Sequence, residues 1–195
     1  MKRIGIFSEN YDHDSCGLRN LLMQKYNLVP CIFIPIVKTM EGDDLENVKK
    51  VKKLLQKEIT RKRLDFIIVF RDLDSLPDDQ DKIKQRQTWF ETIKIHLADL
   101  LLLTIYEAEA LILADIQSFN KMYGTSISFK ANPLFKAHPK EFLKQQTFKS
   151  AKKYQESHLA DIFTQLDIHL IYQNHFHTDY PCFQIFMNQL DEKLA

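Results

Sequence analysis

The sequence predicts an α/β fold: a parallel sheet of about four strands flanked by helices, with a C-terminal α-helical extension. Short apolar runs of strand length alternate with stretches whose apolar residues recur every three or four positions. That alternation gives βαβ units and a central sheet covered on both faces. The 195-residue chain also has only four glycines and six prolines, which argues against long disordered linkers and for a substantial core.

The elements follow in order. RIGIF (3–7) is a short buried strand, and SCGLRNLLMQKY (15–26) a helix entered from a loop rich in capping residues. VPCIFIPIV (29–37) is extended, and its prolines suit a sheet edge. In NVKKVKKLLQKEITRKR (47–63), Val48, Val51, Leu55 and Ile59 mark an amphipathic helix. The strand DFIIVF (65–70), a helix through QRQTWFETIKIHL (85–97), the strand LLLLTI (100–105) and a single helix EAEALILADIQSFNKMYG (107–124) complete the pattern, with Gly124 as the stop. After Gly124 the chain turns to a polar loop broken by Pro133 and Pro139, then to helical stretches. Residues 1–124 are therefore expected to form the α/β domain and 125–195 a helical extension packed on it.

Several function classes are disfavoured. A formal net charge of +1 does not mark a nucleic-acid binder, although the helix at 47–63 concentrates eight lysines and arginines as either a solvated face or a phosphate-binding stripe. Cys16, Cys31 and Cys182 are scattered and lack a C-x-x-C spacing, so buried free thiols in a reducing cytoplasm are expected rather than a disulfide scaffold or zinc site. No segment approaches the ~20 apolar residues that span a bilayer, and the apolar run of MKRIGIFSENYD ends too soon for a signal peptide. His175 and His177 lack a third ligand at metal spacing, and Trp89 is expected in the core.

Ligands on parallel sheets bind at the carboxyl ends of the strands. Glu9 stands just past the first strand, Asp72 and Asp74 at the end of the third, and Glu107 and Glu109 past the fourth, with Asp12 and Asp14 close behind Glu9. Carboxylates forced together repel, and protonation or a bound cation relieves the strain. Oxygen donors suit Mg²⁺ or Mn²⁺, and Asp72 and Asp74 are expected to converge on one ion while Leu73 points back to the core. Turn formation in DSLPDD is the competing explanation. By position, His13 is a candidate to contact phosphate or shuttle a proton, and Arg71 to neutralise the acid pair or meet a substrate phosphate.

A glutamate after the first strand, Asp-x-Asp after the third and an acid after the fourth resemble the Toprim domain of topoisomerases, primases and OLD-family nucleases. YEAEALILAD, NP...HPKEFL and CFQIFMNQL resemble a stand-alone Toprim-like family of unknown function, whose members are commonly encoded beside an ATPase in bacteria and suspected of phage defence. The resemblance implies a Mg²⁺- or Mn²⁺-dependent nuclease acting on DNA or tRNA, partnered by an ATPase and with scope for a homo-oligomer. It makes Glu9 a general acid/base or metal ligand, Asp72 and Asp74 the metal pair, and Glu109 a further acid of the site. Asn10 replaces the glycine common after the Toprim glutamate; asparagine tolerates the left-handed conformation glycine supplies, and the resemblance implies that Asn10 lies beside the substrate. Leu111 replaces an aromatic, a change of packing, and Asp115 is a cap or supporting residue. VFRDLDSL also resembles, more distantly, the nucleophile motif of haloacid-dehalogenase phosphatases, but it lies on the third strand and lacks Gly-Thr. A non-catalytic adaptor for an ATPase is the remaining alternative.

Overall fold

The computed structural model describes residues 1–38, 40, 42–178 and 180–195, with 42 and 43 through their backbone alone. Its strands are β1 (Lys2–Phe7), β2 (Cys31–Pro35), β3 (Phe66–Asp72) and β4 (Leu100–Thr104), all parallel in the order β2-β1-β3-β4. The helices are α1 (Cys16–Tyr26), α2 (Val48–Lys62), α3 (Gln80–Ile93), α4 (Ala110–Ala114), α5 (Ile116–Tyr123), α6 (Pro139–Gln146), α7 (Leu159–Phe163), α8 (Ile168–Asn174) and α9 (Phe183–Leu194). A π turn at Tyr11–Ser15 leads into α1, and a 3₁₀ turn at Gly42–Glu46 precedes α2. The expected α/β class and parallel sheet are thus present, with β2 at the edge where its prolines belong.

The two-residue period of the strands divides the core. Ile4, Ile6, Phe66, Ile68, Phe70, Leu100 and Leu102 face α1 and the helices that follow β4. Phe7, Ile67, Val69, Leu101 and Leu103 face α2 and α3. Gly5 lies on the second face, where an added Cβ would stand 2.7 Å from Leu64 Cδ1. In α2 the apolar stripe Val51, Leu55 and Ile59 is buried, while Lys49, Lys50, Lys53 and Lys57 are exposed.

One expected helix is two. The stretch 107–124 breaks at Asp115, whose backbone leaves helical geometry (φ −124°, ψ 58°) and whose carboxylate accepts from Ser118 N at 3.3 Å and Asp167 N at 2.7 Å. The unbroken run of apolar residues hid a cap that starts α5 and ties down the loop before α8. The helix expected over 85–97 runs from Gln80 to Ile93. Beyond it, Asp99 accepts from the backbone N–H groups of Ile95, His96 and Ile67, setting the entry to β4.

The C-terminal helices pack on the sheet side that carries α1. Asn20 and Gln24 of α1 donate to Ala160 O and Phe163 O of α7 at 3.1 and 3.0 Å, and Leu103 N donates to Pro181 O at 2.9 Å, partly covering the β4 edge. Among the described residues no helix is long and apolar enough to cross a membrane. Cys31 and Cys182 are buried, Cys16 is half-buried, and all three are free thiols.

His175 sits fully inside this packing. Its Nδ1 accepts from Phe183 N at 3.2 Å, and burial lowers its pKa from 6.5 to about 4. A neutral imidazole in the fold and a charged one in the unfolded chain make its contribution complete above pH 6.5 and lost as pH falls through 4. The stability advantage of the wild type over His175→Asn should therefore shrink by about 3 kcal/mol between pH 7 and pH 4, measured by urea unfolding at each pH.

Candidate functional site

The site is built around the last residue of β3. Asp72 pairs with Thr104 of β4, whose hydroxyl donates to Asp72 Oδ1 at 2.9 Å. Strand alternation puts Asp72 on the α1 side of the sheet. On the neighbouring strand β1 the chain passes Ser8, whose hydroxyl donates to Asn10 O at 2.8 Å and lies 2.6 Å from Ser15 Oγ. The intervening π turn widens because Asp14 N and Ser15 N both donate to Asn10 O. Such single wide turns recur at functional sites. Asn10 is extended, at φ −109°, rather than left-handed as expected from its place after Glu9; its side chain caps the turn by accepting from His13 N at 3.1 Å. Its N–H donates to Asp14 Oδ2 at 3.2 Å, turning that carboxylate inward.

The result is a cavity of about 300 Å³ at the carboxyl ends of β1, β3 and β4. Asp14, Asp72 and Glu109 contribute carboxylates to it, Glu9, Asn10 and His13 stand along the β1 side, and Lys140 lies opposite. Burial pushes the pKa of Asp72 well above its ordinary value, and the charges of Asp14 and Glu109 push it further. Asp14 is raised from 3.8 to about 7, first by burial, against the Asn10 hydrogen bond, and then by Glu109 and Glu9. Burial also raises Glu109, although Tyr154 donates to it at 2.6 Å. Burial works against the charge of Lys140, but Glu109, Glu107, Glu156 and Asp72 outweigh it and hold its pKa above the ordinary lysine value.

The predicted residues divide. Glu9, Asn10, His13, Asp72 and Glu109 meet in this cavity, and Asp74 lines it too. Asp74 takes the left-handed conformation (φ 58°), its N–H donates to Tyr106 O, and its carboxylate is paired with Arg86. The Asp74 carboxylate is thus engaged by Arg86 while its charge still acts on Asp72. Arg71 faces away from Asp72. As its neighbour on β3 it falls on the opposite sheet face, stacked on Trp89 at 4.1 Å and bonded to Glu46 at 2.6 Å.

Two contributors escaped sequence reasoning. Asp14, expected near the rim behind Glu9, is brought into the cavity by the π turn. Lys140 arrives from the start of α6, where Glu107 Oε2 accepts its backbone N–H at 3.1 Å and Glu107 Oε1 lies 3.7 Å from Nζ. The HPKEFL motif held the available signal for it. Tyr154 has none, since its bond to Glu109 spans 45 positions.

A larger cavity, about 710 Å³, opens beside β4 between Phe90, Pro181 and Ile185. Its buried acid, Asp99, is occupied by three backbone N–H groups, so the acidic cavity carries the chemistry. As the side chains stand, no three Asp, Glu, His or Cys groups among the described residues form a metal-ligand set. The donors nonetheless fit a hydrated divalent ion: Mg²⁺ takes one or two carboxylates and keeps several waters, and the half-buried Asp72 and Asp14 and the buried Glu109 are oxygen ligands gathered in one cavity. Comparison of the chain with models of known families, with curated proteins and with solved structures finds no match.

The raised pKa of Asp14 has a signed consequence in chelator. A buried acid with pKa about 7 against 3.8 unfolded stabilises fully below pH 4 and loses that contribution as pH rises through 7. Asp14→Asn should gain stability on the wild type between pH 4 and pH 8, on the order of 2–4 kcal/mol, in paired denaturation curves.

Proposed function

We propose that this protein is a Toprim-like, divalent-metal-dependent phosphodiesterase acting on nucleic acid. The observation that carries the reading is Asp72 at the carboxyl end of β3, gathered with Asp14 and Glu109 in one cavity where desolvation opposes ionisation of all three and neighbouring acids add to it. A dication relieves that opposition, whereas a purely structural cluster would stay protonated. The order-specific set of Glu9, Asp72, Asp74 and Glu109 adds the Toprim resemblance.

Asp72 and Asp14 would hold the ion, with Glu109 and Glu9 within the same cavity. Bound there, Mg²⁺ or Mn²⁺ supplies charge neutralisation for a phosphoryl group and its leaving oxygen. Glu9 is exposed at the cavity and free of any ion pair among those formed by the described residues, which suits a base that takes a proton from water. Lys140, kept charged by four acids, is placed to attract the phosphate. His13 stands in the same wall and is suited to donate to a phosphate oxygen. An ATPase partner, suggested by the resemblance, would supply the control that a small open site lacks.

Purified protein incubated with plasmid, linear DNA and total tRNA in Mg²⁺ or Mn²⁺ should cleave at least one of them. Asp72→Asn should abolish cleavage, and Glu9→Gln should slow it by ~10²–10⁴, the range for lost general acid/base catalysis. Metal-independent cleavage, or full activity in both variants, would remove the proposal.

A further inference from the structure

Around the same sheet edge, on the face away from Asp72, lies a second charged cluster. Arg71 of β3 and Arg86 of α3 are both buried, at 6% and 5% exposure. Burial, then the charge of Arg86, lowers the pKa of Arg71, so the two cations face each other unfavourably. A single oxygen mediates between them: Glu46 Oε1 accepts from Arg71 Nη2 at 2.6 Å and from Arg86 Nη1 at 3.3 Å. Asp74 pairs with the other Arg86 terminal nitrogen. Arg71 Nη1 and Arg86 Nε are buried and have no hydrogen-bond partner among the described residues.

A finished structural salt bridge would satisfy these donors, because an unpaired charged donor in the interior is costly. Among the described residues, the two guanidinium groups present more N–H groups than Glu46 Oε1 and Asp74 Oδ2 use. The cations are held in place, Arg71 by the Trp89 ring at 4.1 Å and both by their strand and helix. The anion is the loosely held member. The Glu46 side chain is 60% exposed and belongs to the short 3₁₀ turn, anchored one residue earlier where Trp89 Nε1 donates to Leu45 O at 2.9 Å.

We propose that Arg71 and Arg86 form a seat for one phosphate group of the nucleic-acid substrate, and that Glu46 is a self-ligand occupying it in the free protein. A phosphodiester carries the same single negative charge as Glu46, so the exchange leaves the cluster's charge unchanged. Its two unesterified oxygens can accept from both forks at once, including the nitrogens left unused. Glu46 then returns to water, which its exposure makes undemanding. Asp74 is the physical link: it pairs with Arg86 and also lines the acidic cavity. A strand crossing the carboxyl edge of the sheet would place one phosphate at the acids and another on the arginines. The owner of the phosphate rests on the phosphodiesterase reading; the seat itself does not.

The test uses the whole protein in chelator, with inorganic phosphate as the probe, followed by titration calorimetry and ³¹P NMR. Glu46→Ala removes the competitor at an exposed position and should tighten phosphate binding about tenfold or more, the size of one charge-assisted hydrogen bond. Adding Arg86→Lys, which keeps the charge but loses the fork, should reverse the gain; thermal melts and circular dichroism check that each variant folds. Equal phosphate affinity in folded wild type and Glu46→Ala would overturn the seat, and so would retention of the gain in the folded Arg86→Lys double variant. Because no metal or cleavage is involved, a positive result stands even if the nuclease assay fails. Cleavage by a wild type whose Glu46→Ala variant gains no phosphate affinity removes this inference alone.

Discussion

The pairing of Asp72 with Thr104 across β3 and β4 determines where the charged groups at the carboxyl edge go. With that register held, the two-residue period sends Asp72 toward α1 and its neighbour Arg71 toward α3. Leu73 N continues the ladder to Thr104 O, and Asp74 N and Tyr106 N then close the turn against Tyr106 O and Ser75 O. This zipper holds Asp74 and Tyr106 in the left-handed region, which aspartate tolerates and tyrosine disfavours. One strand end thus feeds an acidic cavity on one face and an arginine pair on the other. A slip by one residue would exchange the faces of all of these side chains.

Much of the architecture was legible because strand and helix periods are local properties. β1, β3 and β4 could be found from their apolar runs, β2 from its prolines, and the common rim of Glu9, Asp72 and Glu109 from the rule that ligands meet at strand carboxyl ends. What stayed hidden was decided by contacts between distant residues or by backbone detail. Asp115 breaks an apolar helix because it caps α5 and binds Asp167 N, 52 positions away. Asp14 was expected near the rim, but the π turn that carries it in was not, and Asn10 serves that turn as an extended cap although its place after Glu9 suggested a left-handed residue. The divergence of Arg71 from Asp72 could have been foreseen, since adjacent strand residues face opposite ways. The pairing of Asp74 with Arg86 could not, because it depends on a left-handed turn and on a residue of the next helix.

The residues after Gly124 take part in the site. Lys140, Tyr154 and Glu156 all reach the acids, and α6 begins where Glu107 accepts its Lys140 N–H, in place of any cap from the His138 side chain. Acid at a helix start is favourable, so the same glutamate shapes the cavity and starts the helix that brings in its cation. Glu109 and Tyr154 repeat the arrangement at greater depth, joining the residue before α4 to the loop beyond α6. Loss of the C-terminal packing would therefore remove both counter-charge and support from the acids.

Gathering the half-buried Asp14 and Asp72 with the buried Glu109 works against folding, and the molecule offsets this only in part. Thr104 donates one hydrogen bond to Asp72, Asn10 N one to Asp14, and Tyr154 one to Glu109. Each stabilises the charged form by an amount typical of a hydrogen bond to an ion, about 1.5–3 kcal/mol, yet all three pKa values remain raised. Burial and repulsion therefore exceed the support that the protein itself supplies. Lys140 adds one positive charge, but it is shared with Glu107 and Glu156. The deficit that remains has the sign a divalent cation would cancel. On the other face the imbalance is reversed, with buried guanidinium donors in excess of their acceptors among the described residues. A polyanionic strand together with a dication would satisfy both faces at once, so under the proposed function a single ligand would serve the two clusters.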